Sequence, residues 1–279
     1  MTFGSLAARF GGQRLGHTIE THRVLTSTND RALALAAKGA AEGTVVVADS
    51  QSHGRGRQGR QWLDVPGSAL LCSLILRPRF LRGQWPLIGL AAGAAAAAAA
   101  GAVAALPVRL KWPNDVVVPW DACEAGLFPA RKLAGVLVEV RGEAAVVGMG
   151  MNLSEAPAPS EGPARLAPIS LAECASGASP TPATMLAGWL DALEPLYDHL
   201  AAGRHATVLE AFRALDMTLG MALTLRHGAS EVEGVAAGVD ERGALLLRTA
   251  NGVRPFETGE VQSRPRSPAP TDATDVADT

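Results

Sequence analysis

Between Pro86 and Pro107 the chain runs for 20 residues, Leu87 to Leu106, without a single charge, and 12 of them are alanine. Alanine is the strongest helix former, and a proline at either end marks where such a helix starts and stops. The segment is as long as a bilayer crossing. It nevertheless holds three glycines and only five Leu, Ile or Val, and alanine contributes little to membrane insertion. It therefore reads as one long helix inside a globular chain, whose small side chains let its backbone lie close against a sheet. The same residue explains the composition, which is 48% hydrophobic by class with 52 alanines but few aromatic residues.

At 279 residues the chain has length for about two domains. With 25 basic and 27 acidic residues its net charge is −2, which argues against a general nucleic-acid binder or a polybasic membrane-surface protein. Cys72, Cys123 and Cys174 are odd in number and far apart, so neither a disulfide framework nor a structural zinc site is expected. The opening MTFGSLAARFGGQRLGH lacks an apolar core of signal-peptide length. Cytoplasmic location without membrane association is the expectation.

Alternation predicts a first strand over His17–Leu25, and Ser27-Thr28-Asn29-Asp30 a helix entry with Thr28 or Asn29 as the cap. Further strands are expected at Thr44–Ala48, Leu70–Leu76, Val108–Lys111 and Val116–Val118, and a hairpin over Leu133–Gly148. Ser170-Leu-Ala-Glu173 is a capping-box pattern and Thr181-Pro182 a cap followed by a first-turn proline. Helical spacing persists past Pro195, which predicts a kink there rather than an end. From about Met217 the texture is all-β, with turn signals at Asp240–Gly243 and Asn251-Gly252. The sequence divides into 1–215, a small β domain over 216–263, and a tail over 264–279 whose composition predicts disorder.

Four stretches carry chemistry. In Gln51-Ser-His-Gly54-Arg55-Gly56-Arg57-Gln58-Gly59-Arg60-Gln61-Trp62, three glycines allow inward-turned N–H groups and three arginines add permanent, forked donors. No acid stands beside them in the sequence, which fits a polyanion seated among them or, equally, a solvated or RGG-like basic loop. The run is neither GxGxxG before a helix nor GxxxxGK[ST], so neither dinucleotide fingerprint is present. Lys111-Trp112-Pro113-Asn114-Asp115 sets a cation, a ring, an amide and a carboxylate at a strand end. Lys132 opens KLAGVLVE, and GMGMN closes the hairpin with Asn152. Singly, Trp112 reads as core filler, Lys132 as a surface charge and Asn152 as a turn former.

In order, STN, QxxGRGRxGRxW, KWPND, KLAGxLVE and GxGxN resemble the motif series of the biotin protein ligases, over about Thr18 to Val261. The resemblance implies an α+β fold: a mixed β-sheet flanked by helices, similar to class II aminoacyl-tRNA synthetases, with a small C-terminal SH3-like barrel. It implies activation of biotin by MgATP to biotinyl-5′-AMP and pyrophosphate, then transfer to a lysine of a biotin carboxyl-carrier domain, as in acetyl-CoA carboxylase.

Within that scheme Lys132, Arg55 and Arg57 are the expected catalytic cations. Ser27, Thr28, Asn29, Gln51, Arg55, Gly56, Arg57 and Lys132 are expected around biotin, with Asn29 open as a helix cap instead. Arg57, Arg60, Trp62, Lys111, Asn114 and Asn152 are expected around ATP, Trp62 either stacking on adenine or closing the loop, and Asp115 is expected to hold Mg2+. The 16 or so residues before the first strand are too few for the family's DNA-binding domain, so a monofunctional ligase without operator binding is expected. The link over 116–131 is longer than usual and reads as an exposed flap. An exposed strand edge leaves a homodimer open. The rival readings are a lipoate–protein ligase, a non-catalytic biotin sensor and an RNA-binding loop.

Overall fold

In a computed structural model of the chain the described residues are 1–105, 107–120, 128–159, 166–175, 180–228 and 230–263. The predicted tail over 264–279, Cys123 and the centre of the expected flap lie outside them.

The apolar and alternating runs assemble a seven-stranded sheet. Its order is β1 (Thr18–Leu25), β2 (Thr44–Gln51), β5 (Ala69–Leu76), β9 (Ala144–Asn152), β8 (Ala130–Arg141), β7 (Asp115–Pro119) and β6 (Arg109–Lys111). β1 and β2 run parallel and every other neighbouring pair antiparallel, so the sheet is mixed. A parallel pair needs a crossover, here α2 (Thr28–Ala37). β3 (Gly54–Arg55) and β4 (Gln61–Trp62) form a separate short hairpin that carries the glycine–arginine loop.

The alanine segment is the helix α3 (Pro86–Ala104), with Pro86 in its first turn. By length and composition it could cross a membrane, but 67% of its most apolar window is buried within the protein. The small residues explain the fit. A β-carbon at Gly93 would stand 3.5 Å from Leu110 Cδ2 on the sheet side, and one at Gly188 would stand 3.4 Å from Ala99 Cβ. Gly188 belongs to α5 (Pro182–Ala201), whose Trp189 Nε1 donates to Ala92 O at 3.1 Å. α6 (His205–Arg213) packs beside α5 against α3. α5 continues through Pro195 to Ala201. The predicted caps of α4 (Leu171–Cys174) and α5 form on Ser170 with Glu173 and on Thr181. Among the elements without a sequence expectation is the helix α1 (Phe3–Arg9), whose Leu6 joins Phe10 and Leu15 in the core.

The C-terminal region is a five-stranded antiparallel sheet. Its order is β13 (Gly252–Phe256), β12 (Leu245–Thr249), β11 (Ser230–Val239), β10 (Ala222–His227) and β14 (Glu260–Ser263). Its two edge strands are not paired to each other among the described residues, and the antiparallel sheet is consistent with the small C-terminal β domain that the resemblance implied. The chain enters it through a segment hydrogen-bonded to β6. Leu110 N donates to Leu215 O at 2.9 Å, and Met217 N to Leu110 O at 2.8 Å. Trp112 is 1% exposed and donates from Nε1 to Gly243 O at 3.0 Å. The ring of KWPND is thus core filler that ties the two sheets together.

Candidate active site

The N-terminus of α2 faces the middle of the main sheet. Ser27, not Thr28 or Asn29, is its cap, and the Ser27 Oγ accepts from Asn29 N at 3.2 Å. This releases the next two side chains to the sheet. Gln51 Oε1 at the end of β2 accepts from Thr28 N at 2.7 Å and from Thr28 Oγ1 at 3.1 Å. Ser73 of β5, fully buried, lies 2.8 Å from Thr28 Oγ1 and 2.5 Å from Asn29 Oδ1. The Asn29 amide donates to Glu139 Oε2 at 2.8 Å. Only glycine leaves room here, because a β-carbon at Gly148 would come within 2.1 Å of Asn29 Oδ1.

The glycine–arginine loop crosses over this floor. Its arginines are not left to solvent, as their sequence neighbours suggested. Arg55 pairs with Asp30 at 2.5 Å and Glu139 at 2.7 Å, and Arg60 with Glu260 of the C-terminal sheet. The guanidinium of Arg55, expected around biotin, thus faces two carboxylates, and that of Arg60, expected around ATP, faces one. All three acids are remote in sequence, which hid them. Arg57 differs. Its guanidinium makes only long contacts, to Asn114 Oδ1 at 3.3 Å and Gly259 O at 3.4 Å. Burial pushes its pKa below the usual arginine value, with Asp115 opposing.

Lys132 Nζ lies 2.6 Å from Asp115 Oδ1, and buried Lys111 Nζ lies 3.9 Å from Asp115 Oδ2. Burial pushes the Asp115 carboxyl up, but Lys132, Lys111 and Arg57 outweigh it and hold it below its ordinary value. Burial likewise lowers Lys111, against the pull of Asp115. Asp115 was expected to hold magnesium. Its oxygens face two ammonium groups instead, and no three His, Cys, Asp or Glu side chains gather to hold a metal among the described residues. The residues present do not fit a protein-held magnesium ion, and Asp115 is the counter-ion of the lysines.

Asn114 is pinned to β8 through Val136 O at 2.8 Å. Asn152 Nδ2 donates to Ile169 O at 3.1 Å, while its buried Oδ1 has no partner among the described residues. The buried Nε1 of Trp62 is also without one. A buried acceptor and a buried donor left unmade are costly, and both belong to side chains lining one cleft.

That cleft gathers every residue singled out from the motifs: Ser27, Thr28, Asn29 and Gln51 of the floor, Arg55, Gly56, Arg57, Arg60 and Trp62 of the loop and hairpin, and Lys111, Asn114, Asp115, Lys132 and Asn152. The sequence reading missed Ser73 and Glu260, and it quoted Glu139, Gly148 and Gly150 within motifs without giving them a place in the site. Glycine alternating along a strand signals close approach of another group, and Gly148-Met149-Gly150 carries that signal. A β-carbon at Gly150 would meet Trp62 Cε2 at 2.4 Å and one at Gly135 would meet Trp62 Cζ3 at 3.2 Å, so the indole lies on bare strand. Gly150→Ala is expected to push the ring off the sheet and to cost about 1–3 kcal/mol, as overpacking does. Chemical denaturation measures it, and an unchanged midpoint would show that the ring is loosely held.

A family model described as the biotin/lipoate A/B protein ligase family matches residues 21–154, and one for the biotin protein ligase C-terminal domain matches residues 218–264. The biotin–[acetyl-CoA-carboxylase] ligase of Paracoccus denitrificans is 33% identical over 256 residues, covering 84% of this chain and 96% of the relative. That of Mycobacterium tuberculosis is 32% identical over 243 residues, covering 84% and 85%. A solved biotin protein ligase from Aquifex aeolicus, in complex with biotin and ATP, superposes with a TM-score of 0.74 at 25% identity, covering 89% of this chain and 99% of that one. Kinship of this extent, along both sheets and through the cleft between them, makes the chain a member of the biotin protein ligase family.

Proposed function

We propose that the chain is an ATP-dependent biotin–protein ligase. The observation that carries this reading is the charge pattern of the cleft: among the described residues five cations and two carboxylates line it, and one of the cations, Arg57, is a guanidinium with no ion pair to any of them. Joining a carboxylate to a nucleotide brings two anions together, so such a site must supply positive charge and alignment rather than a covalent nucleophile. The floor supports biotin in particular. Ser27, Thr28 and Gln51 offer hydroxyl and amide groups to a ureido ring that both donates and accepts, whereas the dithiolane of lipoate does neither.

In the first step a biotin carboxylate oxygen attacks the α-phosphorus of ATP, the bond to the bridging oxygen breaks, and pyrophosphate leaves with that electron pair. Lys132 spans the carboxylate and the α-phosphate, and Arg57 holds the anionic phosphate. Arg60 and Lys111 stand toward the nucleotide, where Asn152 Oδ1 and Trp62 give an acceptor and a ring face to adenine. Magnesium arrives as part of the nucleotide substrate, held by its phosphates. In the second step a neutral carrier lysine attacks the acyl carbon, the amine loses its proton, and AMP leaves. The named relatives support a carrier of the acetyl-CoA-carboxylase type, and the reading implies a cytoplasmic enzyme.

Pyrophosphate release from MgATP with biotin or with lipoate, followed by transfer to a purified carrier domain, tests this. The expected result is biotin-dependent release and labelling of one carrier lysine. Release with lipoate alone moves the chain to the sister activity, and tight biotin binding without release makes it a sensor.

A further inference from the structure

Glu139 does not line the cleft, yet both its carboxylate oxygens hold residues that do. Oε2 accepts from Asn29 Nδ2 at 2.8 Å and Oε1 pairs with Arg55 Nη2 at 2.7 Å. A carboxylate only accepts, so Glu139 decides which way the Asn29 amide faces: nitrogen toward β8, oxygen toward Ser73. Asn29 Oδ1 also only accepts, so at 2.5 Å the Ser73 hydroxyl donates to it. Ser73 has one proton, and toward Thr28 Oγ1 at 2.8 Å it is left as an acceptor. Thr28, a lining residue of the cleft, then gives its one hydroxyl proton to Ser73 or to Gln51 Oε1, and in either state is left to a ligand as an acceptor. Gln51 Oε1 is held by the Thr28 N–H as well, which turns the Gln51 amide nitrogen into the end that donates.

Thus the hydrogen-bond directions are single-valued from Glu139 through Asn29 to Ser73, and Ser73 turns its acceptor side to Thr28. The donor at Gln51 is set separately, by the Thr28 backbone N–H. The other oxygen of the same carboxylate anchors the glycine–arginine loop through Arg55.

We infer that Glu139 is a positioning residue that sets the donor–acceptor polarity of the floor and, through Arg55, docks the glycine–arginine loop over it, so that the two halves of the biotin pocket form together. The inference rests on the biotin reading above. It assigns Glu139 no contact with substrate. Its partners are two donors, and an amide in its place meets them with one acceptor and one donor, so one of the two contacts must break.

The test is Glu139→Gln, read by steady-state kinetics and by trypsin cleavage of the loop after Arg57. Expected are a biotin KM raised at least tenfold, an ATP KM changed less than threefold, and loss of the protection that biotin gives the loop in the unaltered chain. Adding Asn29→Asp restores a donor–acceptor pair with its direction reversed while Ser73 still has an oxygen to donate to. It is expected to bring the biotin KM back to within about threefold of the original. Ser73→Ala breaks the relay but not the Arg55 anchor, and is expected to raise the biotin KM with loop protection kept. It serves as the second variant if Glu139→Gln does not fold.

An unchanged biotin KM in Glu139→Gln, or in Ser73→Ala, overturns the inference. So does an equal rise in both KM values without rescue, which marks a merely structural residue. If the unaltered chain shows neither biotin-dependent pyrophosphate release nor biotin protection, the biotin reading itself has failed and the inference falls with it.

Discussion

Lys132→Ala is expected to keep the fold and lose about 10²–10³ in biotin-dependent pyrophosphate release, the scale of removing one preorganised charged donor from a reacting centre. Lys132 is the cation nearest to Asp115, at 2.6 Å, and is the one proposed above to span the acyl and phosphoryl anions. Its removal leaves the Asp115 carboxylate to Lys111, at 3.9 Å. A buried acceptor that loses its partner costs about 1–3 kcal/mol, so the variant should also unfold at lower denaturant. Chemistry and stability separate in one sample by measuring release at a temperature well below the variant's unfolding transition. Normal release there removes Lys132 from the mechanism.

Arg57→Met should act in the opposite sense on stability. A half-buried guanidinium with contacts of 3.3 and 3.4 Å and no ion pair among the described residues gives the empty protein little, and burial disfavours its charge. Replacing such a group with an apolar side chain of similar length is often neutral or stabilising. The unfolding midpoint is expected to hold or rise. Activity should fall because two charge-assisted hydrogen bonds to a phosphate, at about 1.5–3 kcal/mol each, disappear together. The expected loss in kcat/KM is about 10²–10³, from the lower part of that range. It should reside mainly in KM, since the phosphate is anionic before, during and after the first step and a donor to it binds all three states alike. A loss confined to kcat would place Arg57 at the transition state alone.

These opposite signs follow from what is and is not written locally in the chain. The alanine helix, the caps at Ser170 and Thr181 and the β texture after Met217 are local patterns, and each appears where the sequence puts it. The ordered motifs likewise converge on one cleft, since each ends or opens a strand of a single sheet. Long-range pairing was not legible. Nothing near Arg55 or Arg60 announces Asp30, Glu139 or Glu260, because only the finished fold brings them together. The choice of Ser27 as cap was within reach but ambiguous, since four consecutive residues could each have served. The setting of Asp115 was hidden for a related reason: only the strand pairing of β7 with β8 sets Lys132 against it.

The seam at Trp112 bears on how this protein could be joined to others. The turn holding Lys111, Asn114 and Asp115 is gripped from behind by Gly243 O, while Leu215 and Met217 lace the connecting segment to Leu110. An insertion at that connection, attractive because it separates two sheets, would unlace the turn that presents three charged or polar groups to the cleft. Fusion partners belong in the β8–β9 turn around Gly142, where the backbone has open space and no group of the cleft depends on it.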